Sequence, residues 1–333
     1  MPGTTWAVAE TGPDGRPTRL ALEAAAAARE LASAAGDPAA ATVVVVAPDP
    51  APAAAVLAGH APRVVAIPTA AGSPVTADAV AGAVADLVAA EGAPDVILLG
   101  ATPDGRTVAG MLAARLRLGF LGNAVGLAWS TGDDGAGPGP RVEMSVLGGR
   151  AITTSAFTDS RGIVTLRPGG ATAAPLGATG TIEVREPAPQ PDPRVRVAAR
   201  AAAEGRSASI EEAAIIVCGG RGISGPEGVA LLESLADAVG GTVAATRAAV
   251  DAGWLPYDVQ IGQTGKTVRP AVYIAVGVSG AIQHRVGMQS AETIVAINRD
   301  PEAPLAEHAD LYVVGDLFEV VPALVAALRE RRA

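Results

Sequence analysis

EAAIIVCGGRGISGPEG (residues 212–228) and VYIAVGVSGAIQH (272–284) decide the fold of the second half of the chain. In each, an apolar run without polar alternation feeds a glycine-bearing turn and then a helix. Such runs belong to strands buried on both faces, which is the condition of a parallel sheet. Working outward, Pro226 to Val239 reads as a helix and TVAATR (242–247) as the next strand. A helix opening at Ser279, strands TIVAIN (293–298) and LYVVGD (311–316), and a terminal helix complete a doubly wound α/β unit.

The same rhythm runs through the first hundred residues. WAVAE (6–10), TVVVVAP (42–48), RVVAIP (63–68) and DVILLGAT (95–102) read as strands. Helices are expected over 17–35, 52–59 and 76–91, and a fourth is expected to open with Asp104 as its N-cap. After residue 119 the pattern turns extended: VGLAWS and RVEMSVLGG flank the turn GDDGAGPGP, and ITTSAF and IVTLRPG follow. REPAPQPDPR (185–194) holds four prolines in ten residues and reads as an exposed, semi-rigid connector. The expected division is a first α/β domain over 1–190 and a second over 191–333.

Composition fits two domains. The 333 residues are 49% hydrophobic but only 3% aromatic, so the cores must be built from Ala, Val, Leu and Ile. A net charge of −9 argues against a nucleic-acid surface. The single cysteine, Cys218, excludes an internal disulfide framework and fits a reducing cytoplasm. The opening MPGTTWAVAE does not resemble a signal peptide, and no uncharged apolar run reaches the length of a membrane span. A cytoplasmic protein is expected. Of 25 basic residues only Lys266 is lysine, which suggests that its position resists replacement by arginine.

GRGISG (220–225) is a G-x-G-x-x-G between a strand and a helix with Pro226 at its start, the context in which amides and a helix N-terminus hold a pyrophosphate; a plain βα turn is the alternative. The following strand ends in Thr246-Arg247 with no acidic residue for an NAD ribose, so an ordinary NAD site is disfavoured. GQTGKT (262–267) is not a Walker A loop, because Gln260 stands where the first glycine is required. The Ser279-Gly280 turn could hold phosphate while His284 reaches toward whatever the phosphate anchors. His60 and His308 read as surface residues, and Cys218 as packed. Arg221, Arg247, Gln263, Thr264, Ser279, His284, Asn298 and Asp316 fall at or just after carboxyl ends of strands, the edge where open α/β sheets bind ligands. The residues alone therefore indicate a dinucleotide site in the second domain, without a nucleophile–base pair or a metal cluster.

The order CGGRGISGPEG, TRAAVDAGWLPYDVQIGQTGKTVRPAVYIAVGVSGAIQH, TIVAINRDPEAP and VGDLFEVVPAL resembles the alpha subunit of electron-transfer flavoproteins, across essentially the whole second domain. In the first domain the likeness is thinner, mainly LLGATPDGRTVAGMLAARL, and implies an adenine-nucleotide-hydrolase-like layer facing a beta subunit. The resemblance implies FAD along the carboxyl edge of a parallel-sheet FAD-binding domain. Arg221 would contact the cofactor, the Thr246 hydroxyl (Ser in the family) would face the pyrophosphate, and Arg247 would lie by the isoalloxazine. Gly262, Gln263 and Thr264 match a loop whose hydroxyl reaches flavin N5, and Lys266 shares it. Ser279, Gly280, Ala281, Ile282, Gln283 and His284 would supply phosphate contacts and, through His284, a bond to the C2 carbonyl. Asn298 and Asp316 would hold the adenosine end. One-electron flavin chemistry is helped by positive charge near N1 and the C2 oxygen. A cation ~4 Å away at an effective dielectric near 20 contributes roughly 4 kcal/mol, with Arg247 and His284 as the expected suppliers.

The family also implies a beta subunit carrying AMP, flavin dehydrogenases such as acyl-CoA dehydrogenases as donors, and a membrane quinone oxidoreductase as acceptor. The chain itself would be an electron carrier rather than an enzyme, and the connector a hinge. Three alternatives stand: the alpha subunit of a bifurcating NADH-linked complex, a flavin- or NADPH-dependent oxidoreductase, and a nucleotide sensor.

Overall fold

A computed structural model describes residues 3–70, 73–133, 135, 137–147, 151–188, 197, 210–211 and 213–332. The chain divides into two compact units, Met1–Ala201 and Ala202–Ala333. Residues 189–194 of the proline-rich connector lie outside the described residues, as do 148 and 149 of RVEMSVLGG.

The first unit opens with β1 (Thr5–Ala9), α1 (Arg19–Ala34), β2 (Ala41–Ala47), α2 (Ala51–Leu57), β3 (Arg63–Pro68), α3 (Ala77–Glu91), β4 (Val96–Gly100) and α4 (Pro103–Leu116). Five strands follow: β5 (Gly119–Ser130), β6 (Gly139–Val146), β7 (Ala151–Ala156), β8 (Gly162–Leu166) and β9 (Thr181–Val184). They form one nine-stranded sheet in the order β7-β6-β5-β8-β4-β1-β2-β3-β9. The extended segments expected after residue 119 join this sheet as a hairpin and its neighbour: β6 is antiparallel to both β5 and β7, so the sheet is mixed. The glycine-rich turn after β5 is short enough to return the chain only as a hairpin, and a parallel neighbour would need a longer crossover.

Alternate residues of the parallel strands enter two separate cores. Val43, Val45, Val64, Ala66, Val96 and Leu98 pack on one side with Ala24, Ala28 and Leu31 of α1. Val44, Val46, Val65, Ile67, Ile97 and Leu99 pack on the other with Val84, Leu87, Val108 and Leu112 of α3 and α4. Helices on both faces are why these strands show no polar alternation. Alanine-rich α1 suits a chain with few aromatics, since small side chains let the helix lie close to the strands. The cap of α4 is Thr102 rather than Asp104: its hydroxyl accepts from Gly105 N at 2.8 Å and donates to Glu10 Oε1. Asp104 lies in the first turn, where its charge still favours the helix dipole.

The second unit contains β10 (Ile215–Gly219), α5 (Pro226–Val239), β11 (Thr242–Thr246), α6 (Arg247–Asp251), β12 (Gln260–Ile261), β13 (Val272–Val276), α7 (Ile282–Met288), β14 (Thr293–Asn298), β15 (Leu311–Val314) and α8 (Leu317–Arg332). All six strands are parallel, in the order β12-β11-β10-β13-β14-β15. The strand order reverses between β10 and β13, which places a topological switch point after Gly219 and Val276. Ile216, Val217, Leu232, Leu235, Tyr273, Ala275, Val321 and Val325 make a continuous core, with α5 packed along α8. The helix expected from Ser279 begins three residues later, at Ile282, because the intervening residues form the turn that lines the site.

Candidate functional site

A cleft of about 990 Å³ runs along the carboxyl edge of the second sheet. Its walls are the turns after β10, β11, β12, β13, β14 and β15. Thirteen of the fourteen residues singled out from the sequence line it: Arg221, Thr246, Arg247, Gly262, Gln263, Thr264, Ser279, Gly280, Ala281, Gln283, His284, Asn298 and Asp316. Ile282 is not among the lining residues; its side chain is exposed at the start of α7.

The floor is backbone packed on backbone. A Cβ at Gly220 would collide with Gly277 O, and one at Gly222 would lie 2.8 Å from Gly277 Cα. Gly222 N donates to Gly277 O and Gly220 N to Val276 O. Ile223 N and Ser224 N close on Gly220 O and Arg221 O. Four of the six amides of GRGISG, those of Gly220, Gly222, Ile223 and Ser224, are thus used inside the protein, and its glycines allow two turns to touch, as the plain βα-turn alternative requires of those positions. Arg221 still lines the cleft from this turn.

The turn after β13 is built the other way. Val278 O accepts from Asn298 Nδ2 (3.0 Å), Ser279 O from Leu305 N, Ala281 O from His284 N and Arg285 N, and Gln283 O from Gln263 N. In a planar trans peptide the N–H points opposite to the C=O, so with these carbonyls turned into the protein the amides of Ser279, Gly280 and Ile282 face the opposite way. Gly280 adopts φ +82°, and a Cβ there would meet Leu305 Cβ at 2.6 Å. Successive amides presented this way form an anion-binding concavity.

His284 is 7% exposed, and both its ring nitrogens are engaged. Nδ1 lies 3.1 Å from Ile261 O, which can only accept, so Nδ1 carries the proton. Nε2, 2.8 Å from the fully buried Tyr273 Oη, accepts the tyrosine proton. Burial lowers the His284 pKa to about 4. The expectation that His284 supplies positive charge, and offers a proton to a flavin carbonyl, is corrected: it is neutral at pH 7 and its one N–H is taken by Ile261. Sequence reasoning missed Tyr273, which looks like one more apolar strand residue.

The remaining polar groups divide by how much capacity they keep. Asn298 donates to Val278 O and accepts from Asp300 N (3.1 Å), so it ties two turns together. Asp316 caps α8 through Phe318 N (2.9 Å) with one carboxylate oxygen. Arg247 pairs with Asp251 across one helical turn at 3.2 Å, both side chains largely exposed. Arg299, Asp300, Asp251 and Phe318 also line the cleft and were not foreseen. Lys266 does not line it; its ammonium lies 3.5 Å from the Glu211 carboxylate. Cys218 is fully buried, and desolvation raises its pKa to about 12.

Comparison with known proteins follows this geometry closely. Residues 209–289 match the electron transfer flavoprotein FAD-binding domain, and residues 5–192 match the electron transfer flavoprotein domain. The chain belongs to the electron-transfer flavoprotein alpha-subunit family. It is 42% identical over 254 residues to electron transfer flavoprotein subunit alpha of Mycobacterium leprae, covering 75% of this chain and 77% of that one. It is also 42% identical over 259 residues to the same subunit of Thermoanaerobacterium thermosaccharolyticum, covering 77% of each. Protein FixB of Clostridium saccharobutylicum is 39% identical over 260 residues, 77% of this chain and 76% of that one.

The cleft of this electron-transfer flavoprotein alpha chain fits the cofactor its domain family is named for. Thr246 Oγ1 is buried at the carboxyl end of β11 and has no hydrogen-bond partner among the described residues. A buried hydroxyl without a partner costs about 1–3 kcal/mol, and a phosphate oxygen in the cleft would satisfy it. The amides after β13 supply a second set of donors, and the arginines lining the cleft supply charge for a pyrophosphate.

Proposed function

We propose that this chain binds FAD in the cleft of its second unit and acts as the FAD-bearing half of a heterodimeric one-electron carrier. It takes electrons from flavin dehydrogenases, acyl-CoA dehydrogenases among them, and passes them to a membrane quinone oxidoreductase. A beta subunit carrying AMP is its partner, and the two units correspond to a first domain facing that subunit and a second holding FAD. The Thr246 hydroxyl, buried without a partner among the described residues and lining the same cleft as the amide-bearing turn at Ser279–Ala281, carries the reading. Bound FAD supplies the redox chemistry. The chain's residues do the rest: Thr246 and the 279–283 turn hold the pyrophosphate, Asp316 with its second oxygen meets a ribose hydroxyl, and Thr264 presents a hydroxyl to the flavin.

The test is a reductive titration of the chain co-purified with its beta subunit. One FAD per heterodimer is expected, reduced in separate one-electron steps by acyl-CoA dehydrogenase with its substrate and reoxidised by the quinone oxidoreductase. A purified heterodimer without flavin contradicts the reading. Direct reduction by NADH would favour the bifurcating alternative.

A further inference from the structure

Thr264 lies in the loop between β12 and β13 and lines the cleft, yet its orientation is set by residues that do not. Gln260 on β12 is 2% exposed, and its Nε2 donates to Thr264 Oγ1 at 3.1 Å. Tyr257 Oη donates to Thr264 O at 2.6 Å. The loop backbone is closed beneath them: Lys266 N donates to Gln260 O (2.7 Å), Gly262 N to Lys266 O (3.1 Å) and Gly265 N to Gly262 O (3.0 Å). Gly265 has no room for a Cβ against Gln260 O, and Gly262, at φ +139°, packs against Gln283 O. The loop is thus held to both its own strand and α7.

A side-chain amide N–H can only donate, so the Thr264 oxygen is the acceptor in its contact with Gln260. The Thr264 proton must then point elsewhere. Its own carbonyl is engaged by Tyr257, and the remaining open side is the cleft. We infer that Gln260 is a positioning residue that makes the Thr264 hydroxyl an obligate hydrogen-bond donor to the cleft, with Tyr257 clamping the backbone beneath it. The inference rests on the proposed FAD site and deepens it: the partner is a hydrogen-bond acceptor of the flavin ring whose electron density rises on reduction. A donor fixed before the electron arrives requires no reorganisation when it does, so it favours the reduced state. Gln260 acts only through Thr264.

Gln260→Glu keeps the shape and reverses the polarity. The carboxylate accepts the Thr264 proton and withdraws it from the cleft. The experiment is spectroelectrochemical measurement of the flavin midpoint potentials in the heterodimer, for wild type, Gln260→Glu, Thr264→Val and the double variant. The expected result is a lowering of the first one-electron potential in Gln260→Glu by about tenfold in the reduction equilibrium, ~59 mV for one electron. Most of that change should vanish in the Thr264→Val background, whereas an effect of the new charge alone would persist there. Equal shifts in both backgrounds, or no shift in either, overturn the inference. Gln260→Met, uncharged and of similar length, is crossed with Thr264→Val in the same way should the glutamate variant fail to fold. Its smaller shift must likewise depend on Thr264, and a shift independent of Thr264 overturns the inference. A wild-type heterodimer that binds no FAD would instead sink the FAD reading itself.

Discussion

His284 sits at the carboxyl edge of the FAD-binding unit as a neutral imidazole held between Tyr273 and Ile261. Its burial has a consequence for stability. The folded group stays neutral down to about pH 4, whereas an unfolded histidine takes its proton near pH 6.5. Between those values the unfolded chain binds the extra proton. The stability contributed by neutral His284 is therefore complete above pH 6.5 and is lost as pH falls to about 4. The loss is about 3 kcal/mol in all. Thermal melts of wild type and His284→Gln across pH 4–8 should show a steeper acid slope in the wild type; parallel slopes would contradict the neutral buried imidazole. Arg247 carries the charge on the β11 side of the cleft, so Arg247→Gln should lower the first flavin potential by about tenfold in equilibrium, a figure discounted for its exposure. An unchanged potential would remove Arg247 from that role. These two residues also mark how far single positions could be read from the chain. Arg247 follows a strand in the sequence and lines the cleft as expected. The protonation of His284 depends on Tyr273, eleven residues earlier in a strand interior, and on a carbonyl at 261, and no local pattern connects the three.

Among the elements, the switch point between β10 and β13 depends on glycine contacts rather than on ligand contacts. Gly220→Ala would force the turn away from Gly277, at about 1–3 kcal/mol for overpacking a closed site. Chemical denaturation of the heterodimer checks this, and an unchanged midpoint would refute the packing role. GRGISG looked like a phosphate loop because the sequence shows that glycines are needed but not what approaches them. Strands β1–β4, β10 and β13, by contrast, were readable as apolar runs because they are buried almost throughout. β9 shows a second kind of anchoring. It adds to the sheet edge beside β3, where Arg63 binds Glu91 through two bonds of 2.7 and 2.6 Å and also reaches Glu183 at 2.7 Å. Arg185 bonds both glutamates. The Arg63 guanidinium holds the Glu91 carboxyl below its ordinary range. Glu91→Gln should destabilise the protein by about 1 kcal/mol, the scale of a partly exposed network. The difference should be present above the ordinary carboxylate range and disappear as pH falls below it. A variant as stable as wild type at pH 7 would show that the Glu91 bridges add nothing to the anchoring of β9.

At the scale of the whole chain, the candidate site belongs to one unit. Every residue lining the cleft falls between Gly220 and Phe318, inside the second unit. The first unit has a nine-stranded sheet in which β1, β2, β4 and β8 are buried throughout, while β7 and β9 at its two edges remain largely exposed. Among the described residues no helix is long and apolar enough to cross a membrane. The central claim is that the cleft along β10–β15 holds FAD, with the buried Thr246 hydroxyl as one of its pyrophosphate donors. The measurement that tests it most directly is titration of FAD onto deflavinated heterodimer, wild type against Thr246→Val. One site per heterodimer is expected, with affinity about tenfold weaker in the variant, the loss of one hydrogen bond to a charged group. No FAD binding to the wild type, or equal affinity in both proteins, would contradict the account.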